Sequence, residues 1–256
     1  MSRFSRRQAL VAPLALLAPT CFGGGRAQAA PRELRLKAPQ GVVRVYRPPH
    51  YDAAKAGLAI YVHGLYTDVD HAWAEHQLPE QFAASRRNAL FIVPAARSEA
   101  TAMPPWDDLQ TLLDLIAREL PSDLLPDATA PLVIAGHSGA YKQIVQWLSD
   151  VRLHTLLFLD ALYGGEVELR AWLDAATENR MALVNHDTVP AAHTFIQDIP
   201  YALYRKRCPT QLTSLTPAER EAKLLSMDTH TDHFGIVTNG TVLPMLLRWS
   251  ALPARG

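Results

Sequence analysis

Cysteine is almost absent: two in 256 residues, Cys21 and Cys208. If the chain is cut after Ala29, only Cys208 remains, and one cysteine cannot close an intramolecular disulfide. The domain must then be held by its core. The first 29 residues contain no acid, only Arg3, Arg6, Arg7 and Arg26. Without those four, 21 of the 25 basic residues remain against 25 acidic ones, a net charge of −4. A mildly acidic body lacks the electrostatic footprint of a nucleic-acid binder. No basic run after residue 30 suggests docking on anionic lipid. Arg205-Lys206-Arg207 comes nearest, and three residues make a solvated face. No later segment resembles a membrane-spanning helix, and there is no internal repeat or low-complexity linker.

What is present begins with the N-terminus. Arg6-Arg7 precede an apolar stretch from Ala9 to about Phe22, then Gly23-Gly24-Gly25 and the small-residue pattern Ala27-Gln28-Ala29. A charged head, a moderate apolar run and small residues at −3 and −1 describe a signal peptide over residues 1–29. Paired arginines ahead of a proline-broken run suggest the twin-arginine type, and hence export to the periplasm or beyond. An ordinary secretory signal and a lipoprotein signal at Cys21 are the alternatives; Thr20 suits the last poorly. Residues 30–256 suffice for one large domain. Their 48% hydrophobic and 20% charged content, taken over the whole chain, is that of an ordinary globular protein.

Short continuous apolar runs alternate with helical patterns. Leu58–Val62, Ala89–Val93, Pro131–Ala135, His154–Leu159 and Met181–Val184 read as buried strands, with a sixth over Ala222–Met227. Gly41–Tyr46 alternates and reads as a half-exposed strand near an edge. Helices are predicted over 69–85, 106–120, 138–148, 166–175, 192–199 and 238–249. Such alternation predicts a doubly wound, mainly parallel α/β sheet with helices on both faces. Ligands in such sheets sit beyond the carboxyl ends of the strands, so the polar residues that follow each strand matter most.

Gly136-His137-Ser138-Gly139-Ala140 follows one buried strand and opens a helix. It fits the G-x-S-x-G nucleophile elbow with alanine last, where a sharp strand-to-helix turn tolerates only small neighbours. The helix N-terminus behind Ser138 offers free N–H groups to an oxyanion. His63-Gly64-Leu65 follows an earlier strand. With these two motifs in this order, the chain resembles the α/β-hydrolase superfamily over nearly all of residues 30–256. The resemblance implies an oxyanion hole from the backbone N–H groups of Leu65 and Gly139, with His63 bracing its loop. It also implies a triad running serine, acid, histidine along the chain.

For the acid, Asp160 ends the run Leu156–Leu159 and Asp187 ends the next strand. Most of the superfamily uses the later position, and a subset including pancreatic-type lipases uses the earlier. Asp160 is preferred because a carboxylate leaving a buried strand needs a partner, whereas Asp187 lies in a polar turn. For the base, His233 is preferred to His230 because it adjoins packed structure, and His193 reads as a surface residue. A zinc reading of His230-x-x-His233 lacks a helix to align the pair. The expected activity is serine hydrolysis of an ester through an acyl-enzyme, with no cofactor and no metal. The substrate would be a small-molecule or envelope-derived acyl compound. An amidase acting on cell-envelope material and a silent binding protein on the same fold are the alternatives. Little or no lid is expected; residues 188–216 are the candidate small cap. Tyr66, Trp106, Tyr141 and Tyr163 are the aromatics expected near the mouth.

Overall fold

The computed structural model describes residues 32–256. The leader expected over residues 1–29 lies outside them. Nine strands of the described residues form one sheet: β1 (Arg32–Ala38), β2 (Gly41–Arg47), β3 (Gly57–Val62), β4 (Ala89–Pro94), β5 (Leu132–His137), β6 (Leu153–Leu159), β7 (Arg180–Asn185), β8 (Ala202–Arg205) and β9 (Leu224–Asp228). Their spatial order is β1-β2-β4-β3-β5-β6-β7-β9-β8. The β1–β2 hairpin joins the sheet antiparallel through β2 and β4, and every later pairing is parallel.

Helices α1 (Val69–Glu75) and α2 (Leu78–Ser85) follow β3, and α3 (Leu109–Glu119) follows β4. Helix α4 (Tyr141–Gln146) follows β5, α5 (Glu166–Ala175) follows β6, and α6 (Val189–Gln197) follows β7. A short α7 (Pro217–Arg220) precedes β9, and α8 (Gly235–Thr238) and α9 (Val242–Trp249) close the chain.

The period of two along each strand explains why the sheet is covered twice. Leu58, Ile60 and Val62 of β3 join one core cluster, while Ala59 and Tyr61 join the other. Leu132 and Ile134 of β5 divide in the same way from Val133 and Ala135. A strand buried on both faces must be apolar throughout, which is why these segments read as unbroken runs. Helix α3 contributes Leu109, Leu112, Leu113, Leu115 and Ile116 to the first cluster, and α9 supplies Val242, Leu243, Met245, Leu246 and Leu247 to the second. Each such side chain contributes roughly 1.5–3 kcal/mol by leaving water.

The chain goes from β3 to β4 on one side of the sheet, then returns past β3 to β5 on the other. That reversal opens a crevice at the carboxyl ends of β3 and β5. His63, Ser138, Asp160 and, one short loop further on, His233 leave strands at this edge.

Three local expectations change. The helix expected over 69–85 is two, because Gln77 adopts φ 48° and Pro79 cannot donate a backbone hydrogen bond. The elbow leads through a single tight turn, Ser138–Ala140, into a helix that ends at Gln146 rather than Leu148. Residues 188–216 do not cap the site. They supply α6 and the edge strand β8, which pairs parallel with β9. No helix of the described residues is long and apolar enough to cross a membrane.

Candidate active site

Ser138 follows the last residue of β5 and has φ 54°. The tight turn exists because its neighbours lack bulk. A Cβ on Gly136 would stand 2.3 Å from Ile144 Cδ1 and 3.1 Å from the Cβ of Ala140. The glycine clears the helix, and alanine fits at the last position of the motif. Ser138 itself is partly exposed.

Asp160 follows β6, the strand beside β5, and also turns left-handed, with φ 49°. It is fully buried and surrounded by donors. Its Oδ2 accepts from His233 Nδ1 at 2.7 Å and from the Asp187 backbone N–H at 3.1 Å. Its Oδ1 accepts from the backbone N–H groups of His186 and Thr188, both at 2.9 Å, and from Thr188 Oγ1 at 2.7 Å. Burial opposes ionisation here, yet the His233 bond and these backbone and hydroxyl donors outweigh it. The Asp160 pKa is therefore held well below the usual carboxylate range.

His233 lies between β9 and α8, and its backbone is tied to the elbow. His137 Nε2 donates to the His233 carbonyl at 3.0 Å, and the two rings lie 4.5 Å apart between centroids. Because His137 directly precedes Ser138, this bond brings His233 beside the elbow. With Nδ1 donating to Asp160, His233 keeps Nε2 as a lone-pair nitrogen. The rings of Phe234 and Tyr163 complete its surroundings, at 5.3 Å and 6.3 Å. Asp187 is exposed, its Oδ2 3.8 Å from His233 Nδ1. His230 is exposed too. His193 pairs instead with Asp228, its Nε2 3.0 Å from Oδ2.

The loop after β3 faces the elbow from the other side. His63 is buried; its Nε2 accepts from the Ala96 N–H at 3.1 Å, so its Nδ1 donates to the Gly64 carbonyl at 2.8 Å. Burial lowers its pKa, which favours the neutral ring these two bonds need. A Cβ on Gly64 would stand 2.8 Å from Ser138 Cβ, so glycine allows the loop to touch the serine. Leu65 covers the Cα of Gly139, its Cγ 2.6 Å from where a Cβ would project.

No protein-family model and no curated protein matches the chain. Solved structures do. One is the substrate-bound fluorophosphonate-binding serine hydrolase F of Staphylococcus aureus, with TM-score 0.58 and 13% identity, covering 86% of this chain and 97% of that one. Another is the S-formylglutathione hydrolase FrmB from Staphylococcus aureus, with TM-score 0.56 and 13% identity, covering 88% and 98%. A third is the feruloyl esterase module from Clostridium thermocellum complexed with sinapinate, with TM-score 0.55 and 10% identity, covering 87% and 89%. At such identities the likeness is one of fold. The fold is that of the α/β-hydrolases.

In this α/β-hydrolase fold His233 meets Asp160, Gly64 packs on Ser138 and Leu65 covers Gly139, with His137 tying the His233 backbone to the elbow, while His230 is exposed. The ligating atoms of Asp160, Asp187 and His233 lie within 4.8 Å of one another. Both Asp160 oxygens already accept from N–H groups, which a cation would repel, so the cluster is built as an acid–imidazole pair. Leu65, Tyr66, His137 and Phe234 line a cleft of about 600 Å³ that also takes in Asp68 and Glu75. Tyr66 and Phe234 stand exposed at its mouth. Trp106, expected at the mouth, is instead fully buried with its Nε1 donating to the Ala95 carbonyl.

Two residues escaped the sequence reading. His137 occupies the freely variable position of the elbow, where no pattern marks it. His76, which shares a 3.0 Å hydrogen bond with the Tyr61 hydroxyl, sits in the helix break that the pattern missed. Burial pushes the His76 pKa down to about 4, and burial together with the nearby His233 pushes that of His137 down to about 3.

Proposed function

We propose that this protein is a serine hydrolase that cleaves a carboxylic ester through an acyl-enzyme. Ser138 is the nucleophile, His233 the general base, Asp160 the acid that orients it, and Leu65 N–H with Gly139 N–H the oxyanion hole. The observation that carries this reading is the 2.7 Å bond from His233 Nδ1 to a fully buried Asp160, beside an elbow serine.

The chemistry follows from those roles. Ser138 Oγ attacks the carbonyl carbon as its proton passes to His233 Nε2. The C=O electron pair moves onto oxygen, where the two N–H groups stabilise it. When the tetrahedral species collapses, the C–O bond to the alcohol breaks and His233 returns the proton to the leaving oxygen. Water then attacks the acyl-enzyme by the same route and frees Ser138. Asp160 stays ionised throughout and stabilises the imidazolium. The proteins that share the fold bear the names serine hydrolase, S-formylglutathione hydrolase and feruloyl esterase, which favours an ester over an amide.

The test is labelling with a fluorophosphonate, followed by turnover of short-chain aryl esters. Wild type should label and turn over, and Ser138→Ala should do neither. A Ser138→Ala enzyme that keeps more than a few per cent of the activity removes the assignment. The proposal includes export through residues 1–29, supported by Arg6-Arg7 and the Ala27-Gln28-Ala29 pattern. Changing Arg6 and Arg7 together to Lys should stop export by the twin-arginine route. Normal accumulation outside the cytoplasm would assign the leader to the general secretory route.

A further inference from the structure

Arg97 is a buried cation without an anion. It is 7% exposed, and among the described residues it is the one Lys or Arg in the buried class. Nη1 donates to the carbonyls of Ala100 at 2.9 Å and Ala102 at 3.2 Å, while Nε is buried with no partner. No carboxylate forms an ion pair with it among the described residues. A buried guanidinium normally needs such a partner, because losing water costs more than two carbonyl bonds return.

Its place in the fold says what the partner is for. Arg97 follows β4, and the residues on either side of it hold the loop after β3. The Ala96 N–H donates to His63 Nε2, and the Tyr66 N–H donates to the Ser98 carbonyl at 2.7 Å. Arg97 lines a second cleft, of about 380 Å³, together with Tyr141, Lys142, Met103 and Gly165. Tyr141 is one helical turn beyond Ser138. Lys142 brings a second, exposed cation; Glu168, also exposed, is the one acid of the lining.

We propose that this cleft holds an anionic group of the substrate, a carboxylate or a phosphate monoester, received by the Arg97 guanidinium with Lys142 beside it. The planar fork suits either anion. The inference rests on the assignment of Ser138 in one respect: the anion belongs to the molecule whose ester Ser138 attacks.

The experiment compares kcat/KM for matched substrates on the full enzyme. One series holds aryl half-esters of dicarboxylic acids of increasing length, each beside its uncharged methyl diester. A second holds acyl esters of hydroxybenzoates beside those of their methyl esters. A third carries a terminal phosphate in place of the carboxylate, to separate the two anions. At least one anionic series should exceed its neutral partner by about tenfold or more. That ratio should collapse toward one in Arg97→Met and fall severalfold in Lys142→Gln. Being a ratio, it does not depend on how much of a variant is active. Should Arg97→Met fail to fold, the exposed Lys142→Gln decides. No anionic preference in wild type, or one unchanged in every variant that folds, overturns the proposal. Wild type that does not label with a fluorophosphonate would instead mean that the Ser138 assignment has failed.

Discussion

Asp160→Asn is the most informative single change, because every contact of the carboxylate is a donor. The amide keeps the size, and asparagine tolerates the left-handed backbone at φ 49°, so the substitution adds no strain. It cannot keep the contacts. With its –NH2 in the Oδ1 position it would face two backbone N–H groups and the Thr188 hydroxyl. With –NH2 in the Oδ2 position it faces only His233 Nδ1 and the Asp187 N–H. The second orientation costs less, and it forces His233 to accept at Nδ1 and carry its proton on Nε2. That is the tautomer that cannot take a proton from Ser138. The same change in a serine protease triad costs about 10⁴ in rate, and a loss of roughly 10² to 10⁴ is expected here. One buried N–H left unpaired costs about 1–3 kcal/mol, or roughly 2–10 °C in Tm for a domain of this size. Asp187→Asn should cost less than about tenfold, since its carboxylate is exposed and 3.8 Å from the same nitrogen. The assay is kcat/KM on an aryl ester, normalised to sites labelled by a fluorophosphonate. If Asp187→Asn is the more damaged enzyme, Asp160 is a brace for the 185–188 turn and not the acid. If neither change matters, the triad reading fails at its middle member.

Gly64→Ala should lower kcat by roughly 10² with a smaller effect on KM, because its Cβ would press on Ser138 Cβ at 2.8 Å and part the oxyanion loop from the elbow; full activity would show that the loop yields freely. Acid should destabilise the fold through the buried histidines: His63, whose pKa burial lowers, and above all His76 and His137, whose pKa values in the fold are about 4 and about 3. The unfolded chain takes up these protons below its ordinary histidine pKa of about 6.5, so stability is full above that pH and declines as pH falls toward 4, by on the order of 5 kcal/mol in all. Denaturant titrations of wild type and His76→Gln at pH 7 and 4.5 would test this: the variant should lose part of the fall in stability between the two pH values, and an unchanged fall would refute it.

The sheet was legible because its strands are buried on both faces. Leu132-Val-Ile-Ala and Leu156-Leu-Phe-Leu are continuous apolar runs; the second is followed at once by Asp160, and the first runs through Gly136-His137 to Ser138. The run before it makes Asp160 a candidate, and the small-residue elbow after the other run makes Ser138 one. Edges were harder to read. Arg32–Ala38 alternates Leu34 and Leu36 with charged residues, so it reads like solvent-exposed chain until β2 pairs with it. Ala202–Arg205 is four residues long and only partly buried, and nothing in Ala-Leu-Tyr-Arg distinguishes an edge strand from a loop. Residues 188–216 were therefore expected to cap the site, although they finish the sheet. Arg97 and His137 were illegible for a different reason. Their roles depend on which carbonyls and rings surround them, and no spacing in the sequence records that.

Ser138 and Asp160 share a feature that joins fold to chemistry. They leave adjacent parallel strands and turn left-handed at once, at φ 54° and 49°. For residues with a Cβ this conformation costs roughly 1–2 kcal/mol each. A strand that simply continued would carry its next residue away from the edge; the abrupt turn stops each side chain at the rim of the crevice. The surroundings hold both turns in place. The Asp160 N–H donates to the Val184 carbonyl at 2.7 Å, and the carboxylate takes three backbone N–H groups from 186–188. At Ser138 the tie runs through its neighbour, His137, whose ring is bound to the His233 carbonyl. One hydrogen bond thus fixes the elbow and the backbone of the proposed base together, and the carboxylate clamp fixes the imidazole. Strain at two points and bonds at their flanks place serine, imidazole and acid at one edge of the sheet before any substrate arrives.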